Sequence, residues 1–193
     1  MPLPTEVDGT QVLLGGQPLP ILFASATQIN VQVPFNLPVN TEHQVVIRRA
    51  ATLSVPESFL LAGAQPGIFT ANLQGTGQGI IMGPDQVTLA TPSAPVRRGD
   101  AIVIYGTGLG AVSPPVAAGS PAPSTQLSRT TLPVEVRIGG APAQVLFSGL
   151  TPGFAGLYQV NAIVPATSTT GDAVPVSISV AGQAGNEVTI AVR

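Results

Sequence analysis

Apolar and polar residues alternate with a period of two along most of this chain. Gln11-Val12-Leu13-Leu14, Ile29-Asn30-Val31-Gln32-Val33, Gln44-Val45-Val46-Ile47-Arg48, Ala101-Ile102-Val103-Ile104-Tyr105, Val134-Glu135-Val136-Arg137-Ile138, Val174 to Val180 and Glu187 to Val192 are the main runs. A period of two puts successive side chains on opposite faces of an extended backbone, so these runs predict half-buried antiparallel strands. The helical spacing i, i+3, i+4, i+7 is broken by Gly or Pro wherever it starts. Turn residues recur about every 8–12 positions, the spacing of a sandwich or barrel.

The pattern occurs twice. Leu14-Gly15-Gly16-Gln17-Pro18-Leu19-Pro20-Ile21-Leu22-Phe23 matches Ile138-Gly139-Gly140-Ala141-Pro142-Ala143-Gln144-Val145-Leu146-Phe147. Gln28-Ile29-Asn30-Val31-Gln32-Val33-Pro34 matches Gln159-Val160-Asn161-Ala162-Ile163-Val164-Pro165, and the second copy carries seven extra residues ahead of it, around Leu150 to Gly156. Gly-Gly between two strands supplies the positive-φ positions of a tight hairpin. In the Gln-x-Asn strand the two amides share a face, where they either meet solvent or tie down loop backbone.

The copies differ upstream. Arg98-Gly99-Asp100 leads into the strand Ala101–Tyr105 and Gly106-Thr107-Gly108-Leu109-Gly110 ahead of the second Gly-Gly, whereas about a dozen residues precede the first. The prediction is an all-β chain of two tandem immunoglobulin-like sandwiches. The first, residues 1–68, lacks its opening strand or strands. The second, 69–193, carries an N-terminal hairpin extension turning at Gly83-Pro84-Asp85-Gln86.

Composition narrows the function classes. Charged residues are 8% of the chain, against about 25% in an ordinary domain. Net charge is −2 and all seven basic residues are Arg, so no basic field exists for nucleic acid. A weakly charged surface favours association. With no Cys, disulfides and thiolate metal sites are excluded. No apolar run reaches the roughly 18 residues of a membrane span. No signal peptide follows Met1, so the predicted place outside the cell requires an export signal that this sequence does not carry.

Candidate chemistry is sparse. Gly106-Thr107-Gly108-Leu109-Gly110 follows a strand, but Ala111-Val112-Ser113-Pro114-Pro115 cannot start the helix a phosphate loop needs, so a turn is predicted. His43, the single His, falls in the polar stretch Asn40–Gln44 and reads as a solvated loop residue; no Gly-x-Ser-x-Gly elbow accompanies it. The nine acids are dispersed, with Asp100 and Asp172 beside Gly in apparent turns. Arg98-Gly99-Asp100 spells an adhesion tripeptide but reads as a turn before a strand. No catalytic, cofactor or metal residue is predicted. The candidate ligand or interface residues are Asn30, Asn161, Tyr158 and Phe154.

Three segments carry a family resemblance: Arg98 to Gly110, Val136-Arg137-Ile138-Gly139-Gly140-Ala141-Pro142-Ala143, and Tyr158-Gln159-Val160-Asn161-Ala162-Ile163-Val164-Pro165. With Ala64 to Thr70 and Gly77-Gln78-Gly79 they resemble the uncharacterised C-terminal domain of many secreted acidobacterial (Solibacter-type) proteins. More distantly, each repeat resembles the IPT/TIG type of immunoglobulin-like domain. The resemblance implies an exported protein and no known catalytic residues. The expected role is a non-catalytic structural or adhesive module at the cell surface, partnered by itself or by another extracellular protein or polymer through strand exchange or donor-strand pairing. A carbohydrate-binding accessory domain is the alternative, and a small hydrolase the least favoured.

Overall fold

The computed structural model describes residues 2–193, and all regular structure among them is β. The first copy of the repeat forms β1 (Thr10–Leu14), β2 (Gln17–Pro18), β3 (Ile21–Ala24), β4 (Ile29–Val31), β5 (Thr41–Arg49), β6 (Thr52–Leu53) and β7 (Glu57–Leu61). The rest forms β8 (Gly67–Ile68), β9 (Ile81–Met82), β10 (Ala101–Thr107), β11 (Val112–Ser113), β12 (Arg129–Thr130), β13 (Val134–Ile138), β14 (Ala141–Leu150), β15 (Tyr158–Ile163), β16 (Gly171–Val180) and β17 (Gln183–Val192). No helix long and apolar enough to cross a membrane occurs among the described residues.

Both Gly-Gly pairs turn hairpins, as their chemistry predicts. Gly15 and Gly16 have φ of 56° and 82°, and Gly139 and Gly140 have 59° and 80°. Positive φ at both central residues is the type I′ condition, which only Gly meets without Cβ strain. The strands that enter the hairpins also keep equivalent registers with their other neighbours: Leu14 faces Val45 across β1 and β5, and Ile138 faces Val176 across β13 and β16. Likewise β3 pairs with β4 as β14 pairs with β15, all antiparallel.

One strand links the two layers in the second copy. Ala141–Ala143 of β14 pairs with β13, and Gln144–Leu150 pairs with β15 past a bulge between Val145 and Phe147. In the first copy the same path breaks at Leu19-Pro20, giving β2 against β1 and β3 against β4. Pro20 has no N–H for a ladder, although its carbonyl accepts the Gln32 amide at 2.9 Å.

The second sheet runs β17-β16-β13-β14-β15-β10-β8 and nearly closes on itself like a barrel. Its ends meet at the side chain of Asn186, which accepts the Ile68 N–H at 2.7 Å and donates to the Ile68 carbonyl at 3.0 Å. Parallel bridges from Gln78 to Thr189 and Val96 to Val192 cover the β17 edge further along. Inside lies a large core that includes Ile102, Ile104, Ile138, Val160, Val176 and Ile190. Ala64 and Ile68 join this core, and β8 belongs to this sheet.

The first copy stays open. Its sheets, β2-β1-β5-β6 with β7 on β5 and the separate β3-β4 pair, enclose a small core of Val12, Leu14, Leu19 and Leu37. Among the described residues no strand pairs with the far edge of β4, where β10 lies on β15 in the second copy. The two units meet through polar and aromatic contacts. Gln32 Oε1 accepts the Gly119 N–H at 2.7 Å, and the Phe35 ring meets Tyr158 edge-on with centroids 6.5 Å apart.

Candidate functional site

The site follows from that missing strand. In the Gln-x-Asn strand every second residue points inward. In the second copy Val160, Ala162 and Val164 are buried, with Ile104 beside Val160 and Ile102 beside Ala162 on β10. In the first copy the matching Ile29 and Val31 are half-buried and Val33 is 37% exposed. Across the gap, register places Phe59 of β7 where Ile190 of β17 stands; Ile190 is fully buried, and Phe59 is 38% exposed.

The two free edges and the neighbouring unit therefore frame an apolar groove of about 590 Å³. Val31, Val33, Leu37, Phe59, Leu60 and Leu61 line it from the first unit, and Thr107, Gly108, Leu157 and Tyr158 from the second. Its lining holds no charged residue. Such a groove suits an apolar occupant. A charged side chain entering it would lose hydration and find no counter-charge.

The four candidate residues do not converge on one site. Asn30 Oδ1 accepts from Gln28 Nε2 at 2.7 Å, and Asn161 Oδ1 accepts from Gln159 Nε2 at 3.3 Å, so in both copies the shared-face amides bond each other. Tyr158 is a core residue with its hydroxyl donating to the Gly110 carbonyl, and burial pushes its phenol well above the usual range. Its exposed ring area is too small for a sugar platform: the residue is 4% accessible and reaches the groove only as part of its wall. Phe154 is exposed and lines a separate shallow depression of about 510 Å³ with Phe69, Leu73, Ile80 and Tyr105.

Several expectations need correction. His43 is not a solvated loop residue: it sits on β5, buried, with Nε2 donating to the Pro38 carbonyl at 2.8 Å. It stands where the second copy has Val174, and Gly15 leaves room for its ring, a Cβ there falling 3.2 Å from His43 Nδ1. Asp172 belongs to β16, not to a turn, and pairs with Arg193. Arg98-Gly99-Asp100 is the turn expected, closed by Asp100 Oδ2 accepting the Arg97 N–H at 2.8 Å. The glycines of Gly106–Gly110 have a packing cause. A Cβ would fall 2.6 Å from the Gly67 oxygen at Gly106, 1.9 Å from the Gln65 oxygen at Gly108, and 2.6 Å from the Gly63 oxygen at Gly110. Among the described residues no group of three His, Cys, Asp or Glu gathers in a way that would hold a metal ion.

Two functional positions escape sequence reasoning. Gln32 occupies the place of Ile163 and is buried against Gly119 and Gly156; its hint is a polar residue in a strand end that its twin fills with Ile. Asn186 has no counterpart motif and no sequence signal for its role as a seam. A scan of family models and searches of curated proteins and of solved structures give no match to this chain.

Proposed function

We propose that this chain is a non-catalytic structural or adhesive module of the cell exterior, built of two tandem immunoglobulin-like sandwiches, and that copies associate through the open first unit. One observation carries the reading: a motif buried in the second copy is only partly covered in the first. Among the described residues, nine of the fifteen large hydrophobics that stand exposed fall between Leu22 and Leu60. Exposed apolar area stabilises whatever contact buries it, at about 25 cal/mol per Å². Free strand edges template pairing unless charge or Pro blunts them, and β4 has neither. A net charge of −2 gives copies little mutual repulsion. The place outside the cell rests on the resemblance to secreted acidobacterial domains.

Light scattering across micromolar concentrations tests it. The expected result is a mass that rises with concentration and returns to monomer in Leu60→Asp, a substitution at a 63% exposed position. A monomer at every concentration sinks it. A carbohydrate-binding role has one observation in its favour: Phe69 and Phe154 expose rings beside Tyr105, and aromatic faces stack on sugar rings. Binding on a glycan panel, lost in Phe154→Ala, is the result that reading requires.

A further inference from the structure

The second copy shows what completes this fold: β10 lies antiparallel to β15 and places Ile102 and Ile104, two residues apart, in the core. An occupant of the first unit's groove needs the same features. It must be extended, uncharged, and apolar at i and i+2. No copy can supply β10 itself, because Ile102 and Ile104 are fully buried at home.

The surface offers one segment of that kind. Among the described residues, the exposed large hydrophobics include a single pair two positions apart, Leu53 at 60% and Val55 at 79%. They lie in Thr52-Leu53-Ser54-Val55-Pro56, which carries no charge. The segment is already held as an edge: Leu53 faces Arg48 on β5, and the Ser54 N–H donates to the Ile47 carbonyl at 2.8 Å. Ser54 is thus opposite Ile47, the inward residue, so Leu53 and Val55 point away from their own core.

We propose that the groove beside β4 is a strand-acceptor site for Thr52–Val55 of a second copy of this chain. The segment enters antiparallel to β4, as β10 does on β15, and Leu53 and Val55 take the places of the two isoleucines. The outer face of the donating sheet becomes the inner face of the accepting one. Donor and acceptor are different surfaces, so the contact is head-to-tail and builds rings or filaments, not closed two-fold dimers. This inference rests on the self-association reading and adds the segment responsible.

A mixing experiment on the full chain tests it. Leu53→Asp with Val55→Asp removes the donor, and Val33→Asp with Leu60→Asp removes the acceptor; all four positions are exposed. Each double variant alone is expected to stay monomeric by light scattering. An equimolar mixture is expected to give dimers and nothing larger, with slowed hydrogen exchange at the Ile29 and Val31 amides, which face the free edge of β4. A mixture that stays monomeric overturns the proposal. So does a donor variant that assembles as the wild type does, and if Leu60→Asp still abolishes assembly, self-association through the groove survives while the Thr52–Val55 assignment fails. A wild-type chain that never assembles defeats both.

Discussion

Ile47 and Ile178 occupy the same place in two copies of one unit, opposite Val12 and Val136, yet Ile47 is 41% exposed and Ile178 only 3%. The strands beneath them have the same register and the same Gly-Gly hairpin. The difference lies in what covers them. In the second copy residues 64–107 add β8, β9 and β10, which join β15 to β17 and shut the sheet around its core. The first copy has no such segment, and its inward residues remain partly wet. Strand pattern and hairpin chemistry are therefore enough to form the ladders, while burial depends on the closing segment.

Substitutions at matched sites test that contrast. The largest effect is expected at the seam. Gly108→Ala would set a Cβ 1.9 Å from the Gln65 oxygen at a φ of +74°, so the second unit should lose its cooperative transition in chemical denaturation. Gly16→Ala, with nothing within 4 Å, should cost only the left-handed strain of about 1–2 kcal/mol. Next, Ile178→Ala should destabilise the second unit by about 2–5 kcal/mol. Ile47→Ala, at its exposed twin, should cost about 0.5 kcal/mol. Equal losses would mean that the first core is as closed as the second. Asn186→Ala should cost about 1–3 kcal/mol by orphaning the Ile68 groups, and should speed hydrogen exchange at Ile68.

The smallest effect is at the turn after β9. There the Thr88 hydroxyl, with the Thr88 and Val87 amides, holds the Asp85 carboxyl below its usual 3.8. A depressed folded value means that this contribution is present above the ordinary carboxylate range and fades as pH falls through the folded value. An NMR titration should therefore show Asp85 protonating at lower pH than in Thr88→Val, with the turn resonances broadening only under acid.

Much of the architecture was legible because local chemistry dictated it. Alternation marked the strands, Gly-Gly marked both hairpins, and Arg98-Gly99-Asp100 marked a turn. The shortfall of residues before Gly15 pointed to a missing opening strand, and the pairing of β10 with β15 shows that the edge left bare is that of β4. Long-range placement was not legible. His43 sits among polar neighbours in sequence, but strand parity turns it inward to bond the Pro38 carbonyl. Tyr158 stood among the candidate ligand or interface residues because an aromatic beside a Gln-x-Asn motif carries no mark of burial. Asn186 closes a sheet by imitating backbone toward Ile68, a residue 118 positions away, and no periodicity encodes such a partner. That a strand is missing could be inferred from the repeat, but the edge it leaves bare and the outward direction of Leu53 and Val55 emerged only from the strand pairings.

The break at Leu19-Pro20 has a mechanical consequence. A single ten-residue strand, β14, clamps the two layers of the second unit at a fixed separation. In the first unit the same crossing is a two-residue joint, and no ladder bond runs from β3-β4 to the larger sheet; the pair is held by its core contacts, by the Ile21 N–H donating to the Pro4 carbonyl, and by Gln32 accepting from Gly119. The separation of layers in the first unit is therefore set by side-chain packing and a few isolated hydrogen bonds, where the second unit sets it with continuous backbone.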